Sequence, residues 1–165
     1  MKPQTNSAIS RSSQNDFDFL HGNWTVSHQR LRRRLAECQD WDRFDGTSRT
    51  TPTLNGSGNI EDNFINLPGQ PHPAVALRSY DSATGQWAIW WLDGRVPHQL
   101  DVPVKGGFDG DTGQFLADDR LDGQPIVVRF LWRKGARPRW EQAFSTDGGR
   151  TWETNWIMDF TPAPE

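Results

Sequence analysis

A chain of 165 residues is most simply one domain. Its near-neutral balance, 18 Lys and Arg against 21 Asp and Glu for a net charge of −3, argues against a basic nucleic-acid footprint. No stretch approaches the roughly 20 apolar residues of a membrane helix, and a lone Cys38 excludes an intramolecular disulfide. Nine Trp supply the burial that aliphatic residues usually provide, each able to bury about 150–250 Å².

Residues 1–14 are polar and Ser-rich, without the apolar core of a signal peptide, and read as a disordered tail. One domain is expected over 15–161, in a cytoplasmic protein that needs no oxidising compartment. Asn15 to Leu20 can form one helical turn capped by Asn15 or Asp16, and Gly22 ends it. From Asn23 the period is two: Trp24, Val26, His28 and Arg30 share one face of a strand. The basic cluster that follows, Arg30 and Arg32 to Arg34, reads as the solvated end of that strand.

Further strands are expected over 43–51, 59–67, 74–80, 86–92, 98–104, 114–120, 126–133, 139–144 and 152–160. The breaks between them are rich in Gly, Pro, Asn and Asp, among them Asn55-Gly56, Gly106-Gly107 and Asp122-Gly123. No amphipathic helix of normal length is visible, which excludes parallel α/β folds, because parallel strands need long crossovers. About ten short strands in a sequential meander close most simply as an all-β, antiparallel up-and-down barrel, since closure removes exposed edges.

The last two strands flank Asp147-Gly148-Gly149. A turn centred there sets Phe144 opposite Trp152, Gln142 opposite Thr154 and Trp140 opposite Trp156. That places Gln142 and Thr154 as polar groups in an aromatic wall, the composition of a ligand pocket or of a self-satisfied core. Ser145 to Trp152 also fits the Asp-box pattern, a structural hairpin in which the Asp carboxylate accepts turn N–H bonds.

His28 is expected to point inwards, as general base, ligand anchor or satisfied core residue. Glu61 and Asn63 share one face of their strand while Ile60, Asp62 and Phe64 share the other, and either face can be the inner one. Arg78, on a face with Ala74, Ala76 and Tyr80, is the natural partner for a buried Glu61; if free, it favours a carboxylate or phosphate ligand. His28, Glu61 and Arg78 are the candidate catalytic groups. The candidate ligand contacts are these three with Asn63, Tyr80, Trp91, Trp140, Gln142, Thr154 and Trp156. The segments 86–92 and 126–132 are apolar on both faces, so a second copy of the chain, or the N-terminal tail, is expected to cover them. No metal spacing, phosphate loop or nucleophile elbow is present, and no cofactor is expected.

His21-Gly22-Asn23-Trp24 carries the Gly-x-Trp that opens the first strand of lipocalin-like barrels. With Asp16 to Leu20, Gly58-Asn59, Leu77 to Asp81, Gly106 to Phe108 and Arg139 to Phe160, the chain from Phe17 to Phe160 resembles a bacterial lipocalin-like (calycin) barrel family with no assigned activity. The resemblance implies a plugged barrel with a ligand cavity, but no reaction. The related haem-binding nitrobindin barrel needs a late proximal His, whereas this chain has His21, His28, His72 and His98 and none beyond. The expected function is therefore binding of a small, partly apolar molecule, anionic or aromatic, inside the barrel. The alternatives are a cofactor-independent isomerase, lyase or cyclase in the same cavity, and a protein-interaction module with a filled core. Neither nucleic acid nor membrane is expected as a partner.

Overall fold

The computed structural model describes residues 12–164. The alternating segments become β1 (Gly22–Leu31), β2 (Trp41–Thr53), β3 (Gly58–Ile65), β4 (His72–Asp81), β5 (Gln86–Asp93), β6 (Val104–Asp109), β7 (Thr112–Leu121), β8 (Gln124–Arg133), β9 (Arg139–Ser145) and β10 (Glu153–Pro162). Every strand pairs antiparallel with its sequence neighbour, and β1 also pairs with β10, so the ten strands form one closed up-and-down barrel. Side chains of β3 and β4 alternate between buried and exposed, as a sheet with one dry face requires. The hairpin turns follow local chemistry. Asp122 and Gly123 join β7 to β8 with φ of 49° and 81°, the two positive values of a tight type I′ connection.

One strand lies elsewhere than expected. The sixth runs over Val104–Asp109, not 98–104. Pro97 and Pro103 cannot donate to a ladder, and residues 98–103 meet β5 through an isolated Leu92–Leu100 bridge and the Asp101 N–H to the Trp91 carbonyl, 3.0 Å, without forming a ladder. Gly106-Gly107, expected as a break, lies inside β6.

The lower end is plugged. Asp18–Leu20 is a 3₁₀ turn whose N-cap is Phe17, with no side-chain cap bond, so neither Asn15 nor Asp16 caps it. Asp16 instead accepts from the Ser12 hydroxyl at 2.6 Å and from the Ser13 N–H, and pairs with Lys134 at 3.2 Å. The Phe17 ring meets Trp87, Phe108 and Trp132 edge-on at 4.9, 5.0 and 5.9 Å. The Trp24 indole donates to the Leu20 carbonyl at 2.8 Å, which ties the Gly-x-Trp strand to the plug. The expected tail lies outside the described residues as far as residue 11. Ser12 and Ser13, however, are held on the barrel: the Tyr80 hydroxyl donates to the Ser12 carbonyl at 2.6 Å and the Trp87 indole to the Ser13 carbonyl at 3.1 Å. Isolated serines give no periodic signal, so the sequence cannot distinguish this from a tail.

On the outer wall, Trp90 and Leu92 of β5 and Val127 and Leu131 of β8 are half-buried. Ile60 and Leu77 continue the row from Trp90 across β4 and β3, each 39% exposed. No helix among the described residues is long and apolar enough to cross a membrane.

Candidate functional site

The barrel interior has three levels. Above the aromatic plug lies a polar layer. Arg78 and Glu61, both 2% exposed, form an ion pair there, and Arg78 also donates to the Asn59 side chain at 2.9 Å. The Ser48 hydroxyl donates to the other Glu61 oxygen at 2.9 Å. The Arg78 guanidinium sits 5.0 Å from the Phe17 ring centre and 5.2 Å from that of Trp132, so cation–π attraction adds to the pair. Odd-numbered β3 residues therefore face inwards, which settles the alternative left open by the pattern.

Above this layer stands an aromatic box. Trp156 meets Trp91 edge-on at 5.8 Å and Trp140 at 5.3 Å, and Trp140 meets Phe130 at 5.0 Å. These rings, with Phe144 and Gln142, wall a cavity of about 160 Å³ at the open end. A side compartment of about 60 Å³ runs towards Val102 and Val104. An inner one of about 20 Å³ reaches Arg78, Glu61 and Trp132. Trp91 and Phe130 line all three.

The rim is charged. Arg30 projects from the end of β1 and lies 4.7 Å over the Trp156 ring, and Arg34 in the following loop lines the same cavity. Asp93 is occupied by Arg95, which donates to it at 2.7 Å. Arg30 and Arg34 make no side-chain hydrogen bond or ion pair with the described residues. Burial, then the charges of Arg34 and Arg95, pulls Arg30 down to about 10; it stays charged at neutral pH with its charge poorly compensated. Asp101, in the lining of the same cavity, is pushed up by desolvation and by Asp119 and Asp93.

The expected site residues divide. Trp91, Trp140, Gln142 and Trp156 line the cavity. Glu61 and Arg78 reach only its inner compartment and hold each other. Asn63 is buried and donates to the Glu61 carbonyl at 3.4 Å. Tyr80 lies at the plugged end, bonded to Ser12. His28 is buried and engaged: its Nδ1 accepts from the Trp156 indole at 3.0 Å and its ring stacks on Phe44 at 4.8 Å. A Cβ on Gly46 would come 3.0 Å from His28 Nε2 and 2.5 Å from the Phe64 carbonyl oxygen, so glycine there makes room for the imidazole. Desolvation, followed by the Arg30 charge, lowers His28 to about 4.

Thr154 is not where the hairpin reading put it. The register shifts between Thr154 and Trp156, so Thr154 pairs with Ala143 on the outer face and Gln142 pairs with Trp156. The extra residue, Asn155, takes the expected role of Thr154: its side chain accepts from Gln142 at 2.8 Å. Trp152 also leaves the inner face, since Glu153 pairs with Phe144 and the Arg129 guanidinium covers the Trp152 ring at 4.3 Å.

Sequence reading missed Arg30, Arg34, Phe130, Phe144 and Asp101. For Arg30 the signal was present: it shares the inward face of Trp24, Val26 and His28, and the run of arginines disguised it as a solvated strand end.

A larger depression, about 550 Å³, lies near Asp118 to Arg120 and Ser145 to Gly148. Its one buried hydroxyl, Ser145, is spent on the turn, donating to Asp147 at 2.8 Å. Asp147 also accepts from the Thr151 hydroxyl at 2.6 Å and from the Arg150 and Thr151 N–H groups. Those bonds, Thr151 first, hold its carboxyl down at about 2. This is the Asp box as a structural hairpin. Among the described residues no three His, Cys, Asp or Glu side chains converge as a metal ion requires. Comparison with protein-family models and with curated proteins returns no match.

Proposed function

We propose that the chain binds a small molecule with a flat apolar body and an anionic end, held at the open end of the barrel. The observation that carries this is the pair Arg30 and Arg34, two guanidinium groups with no carboxylate bonded to them among the described residues, above a box of Trp91, Trp140, Trp156, Phe130 and Phe144. Guanidinium groups favour carboxylate and phosphate through short, charge-assisted bonds. An aromatic-walled cavity with a few polar groups is the usual form of a small-molecule site. Its modest volume suits one ring system, not a lipid tail. The lipocalin-like resemblance supports the reading, because it implies a ligand cavity inside the barrel.

Tryptophan fluorescence tests it directly, because three indoles wall the cavity. Benzoate and indole-3-acetate are expected to quench or shift the emission, and their uncharged amides to bind far more weakly. Arg30→Gln is expected to weaken the carboxylates about tenfold or more, one charge-assisted bond being worth about 1.5–3 kcal/mol, and Arg34→Gln to act in the same direction. Equal binding of acids and amides would overturn the anionic end, and no response to either class would overturn the reading.

A second copy of the chain on the outer wall is our proposal for assembly, supported by the row Ile60, Leu77 and Trp90. Sedimentation is expected to give twice 18.8 kDa, falling to the single mass in Leu77→Glu; a wild-type monomer at all concentrations would discard it.

A further inference from the structure

The inner compartment raises a question that the mouth does not. It is walled by Glu61, Arg78, Trp132, Trp140 and Met158 among others, and holds about 20 Å³. Two of its walls carry donors with nothing to donate to: Arg78 Nε and Trp132 Nε1 meet no acceptor among the described residues, and each residue is only 2% exposed. A buried N–H left without a partner is costly, and native interiors rarely tolerate two together. The space fits the requirement, since a compartment of roughly 10–15 Å³ admits one water-sized oxygen.

Charge decides what kind of oxygen. Arg78 is already neutralised by Glu61, so the compartment has donors but no net positive charge. An anion entering it would meet a neutral pair, with no net attraction to offset its own desolvation. A neutral acceptor would take both N–H bonds at no such cost. The mouth is the reverse, with two guanidinium groups and, among the described residues, no carboxylate bonded to either.

We propose that this compartment is a site for one neutral acceptor oxygen, filled by water in the free protein and by a carbonyl-type oxygen at the far end of the bound ligand. The ligand half rests on the anionic reading above; the water half stands without it. Together they orient the guest, with its anion at Arg30 and Arg34 and its carbonyl at Arg78 and Trp132. Trp91, Phe130 and Trp140 line both compartments, so the aromatic body lies between them. Spacing sets the length. Arg78 pairs with Ile89, and Asp93 on the same strand lines the mouth; that step is about 13 Å along a strand, or roughly 10 Å along the axis of a tilted barrel. A benzene ring with a carboxylate and a ketone at opposite positions has the right reach.

The experiment uses the full chain, 15N-labelled, with 4-acetylbenzoate and 4-isopropylbenzoate as probes of equal shape that differ in the acceptor. In the free protein the Trp132 indole proton is expected to show cross-relaxation to a long-lived water. Saturation with 4-acetylbenzoate is expected to abolish that signal, and 4-isopropylbenzoate to leave it. The ketone is expected to bind about tenfold more tightly, and Trp132→Phe to erase the difference. Should that variant not fold, contacts to Phe160, 5.4 Å from the Trp132 ring, assign the indole and the water signal carries the test. No water signal in the free protein overturns the water half. Equal affinities for the two probes overturn the ligand half while the reading of the mouth stands. Failure of both probes to bind, with the water signal present, overturns the mouth reading and the ligand half with it and supports the water half.

Discussion

Glu61→Ala is expected to cost about 3–5 kcal/mol of folding stability, because it strands a buried charge. Arg78 would keep the Asn59 carbonyl and the faces of Phe17 and Trp132. None of these carries a negative charge, and at 2% exposure water cannot replace the carboxylate. Arg78→Ala is expected to be as severe: the buried Glu61 side chain would lose its ion-pair partner and retain only the Ser48 donor. The informative variant is the double one. Replacing both with Met keeps much of the volume and removes both desolvation costs, so Glu61→Met with Arg78→Met is expected to lose clearly less than the sum of the single losses. It is not expected to be free, since Asn59 and Ser48 would each be left without a partner, at about 1–3 kcal/mol apiece. Urea denaturation of the four proteins measures this, and strictly additive losses would show that the two side chains do not act as a pair.

The second large effect is a pH dependence. His28 has a folded value of about 4 against an ordinary 6.5. Burial is the main cause, and Arg30 and His72 add to it while Asp45 opposes. The unfolded chain therefore takes up this proton before the folded one does. Stability from this group is complete above about pH 6.5, falls as pH drops towards 4, and levels off below that. The full span is about 3 kcal/mol, from 1.36 kcal/mol per pH unit. The geometry agrees. Nδ1 accepts from the Trp156 indole, and protonating it would replace an acceptor with a donor facing a donor. Stability measured between pH 7.5 and 4 is expected to fall more steeply in the wild type than in His28→Gln, and parallel profiles would remove His28 as the cause. The cavity shares this sensitivity, because the indole held by His28 is one of its walls.

The wall of the barrel was legible because alternation is dense: nine of the strands fall close to where apolar spacing and turn residues put them, and strand count with abrupt turns implies closure. The sixth strand was not, since its glycines resemble a turn and only the neighbouring backbone shows otherwise. A Cβ on Gly106 would come within 1.9 Å of the Gln114 carbonyl oxygen. The hairpin register failed for a related reason. A bulge at Asn155 has no compositional mark, and one added residue turns Thr154 out and Asn155 in. The site itself was half legible. Aromatic walls announce themselves by alternation, whereas the availability of an arginine depends on which carboxylates the fold brings near it. Arg78 was expected to partner a buried Glu61 and does; Arg30 was read as the solvated end of a strand, yet it lines the cavity without a hydrogen bond or ion pair to the described residues.

The seam between β1 and β10 joins strands from opposite ends of the described chain. As the polypeptide leaves the ribosome, a nine-stranded sheet stays open with β1 and β9 as raw edges until the final strand is synthesised. Those edges are templates for mispairing with neighbouring nascent chains. Wall closure therefore waits for β10, and losing that strand leaves an open sheet, not a smaller barrel.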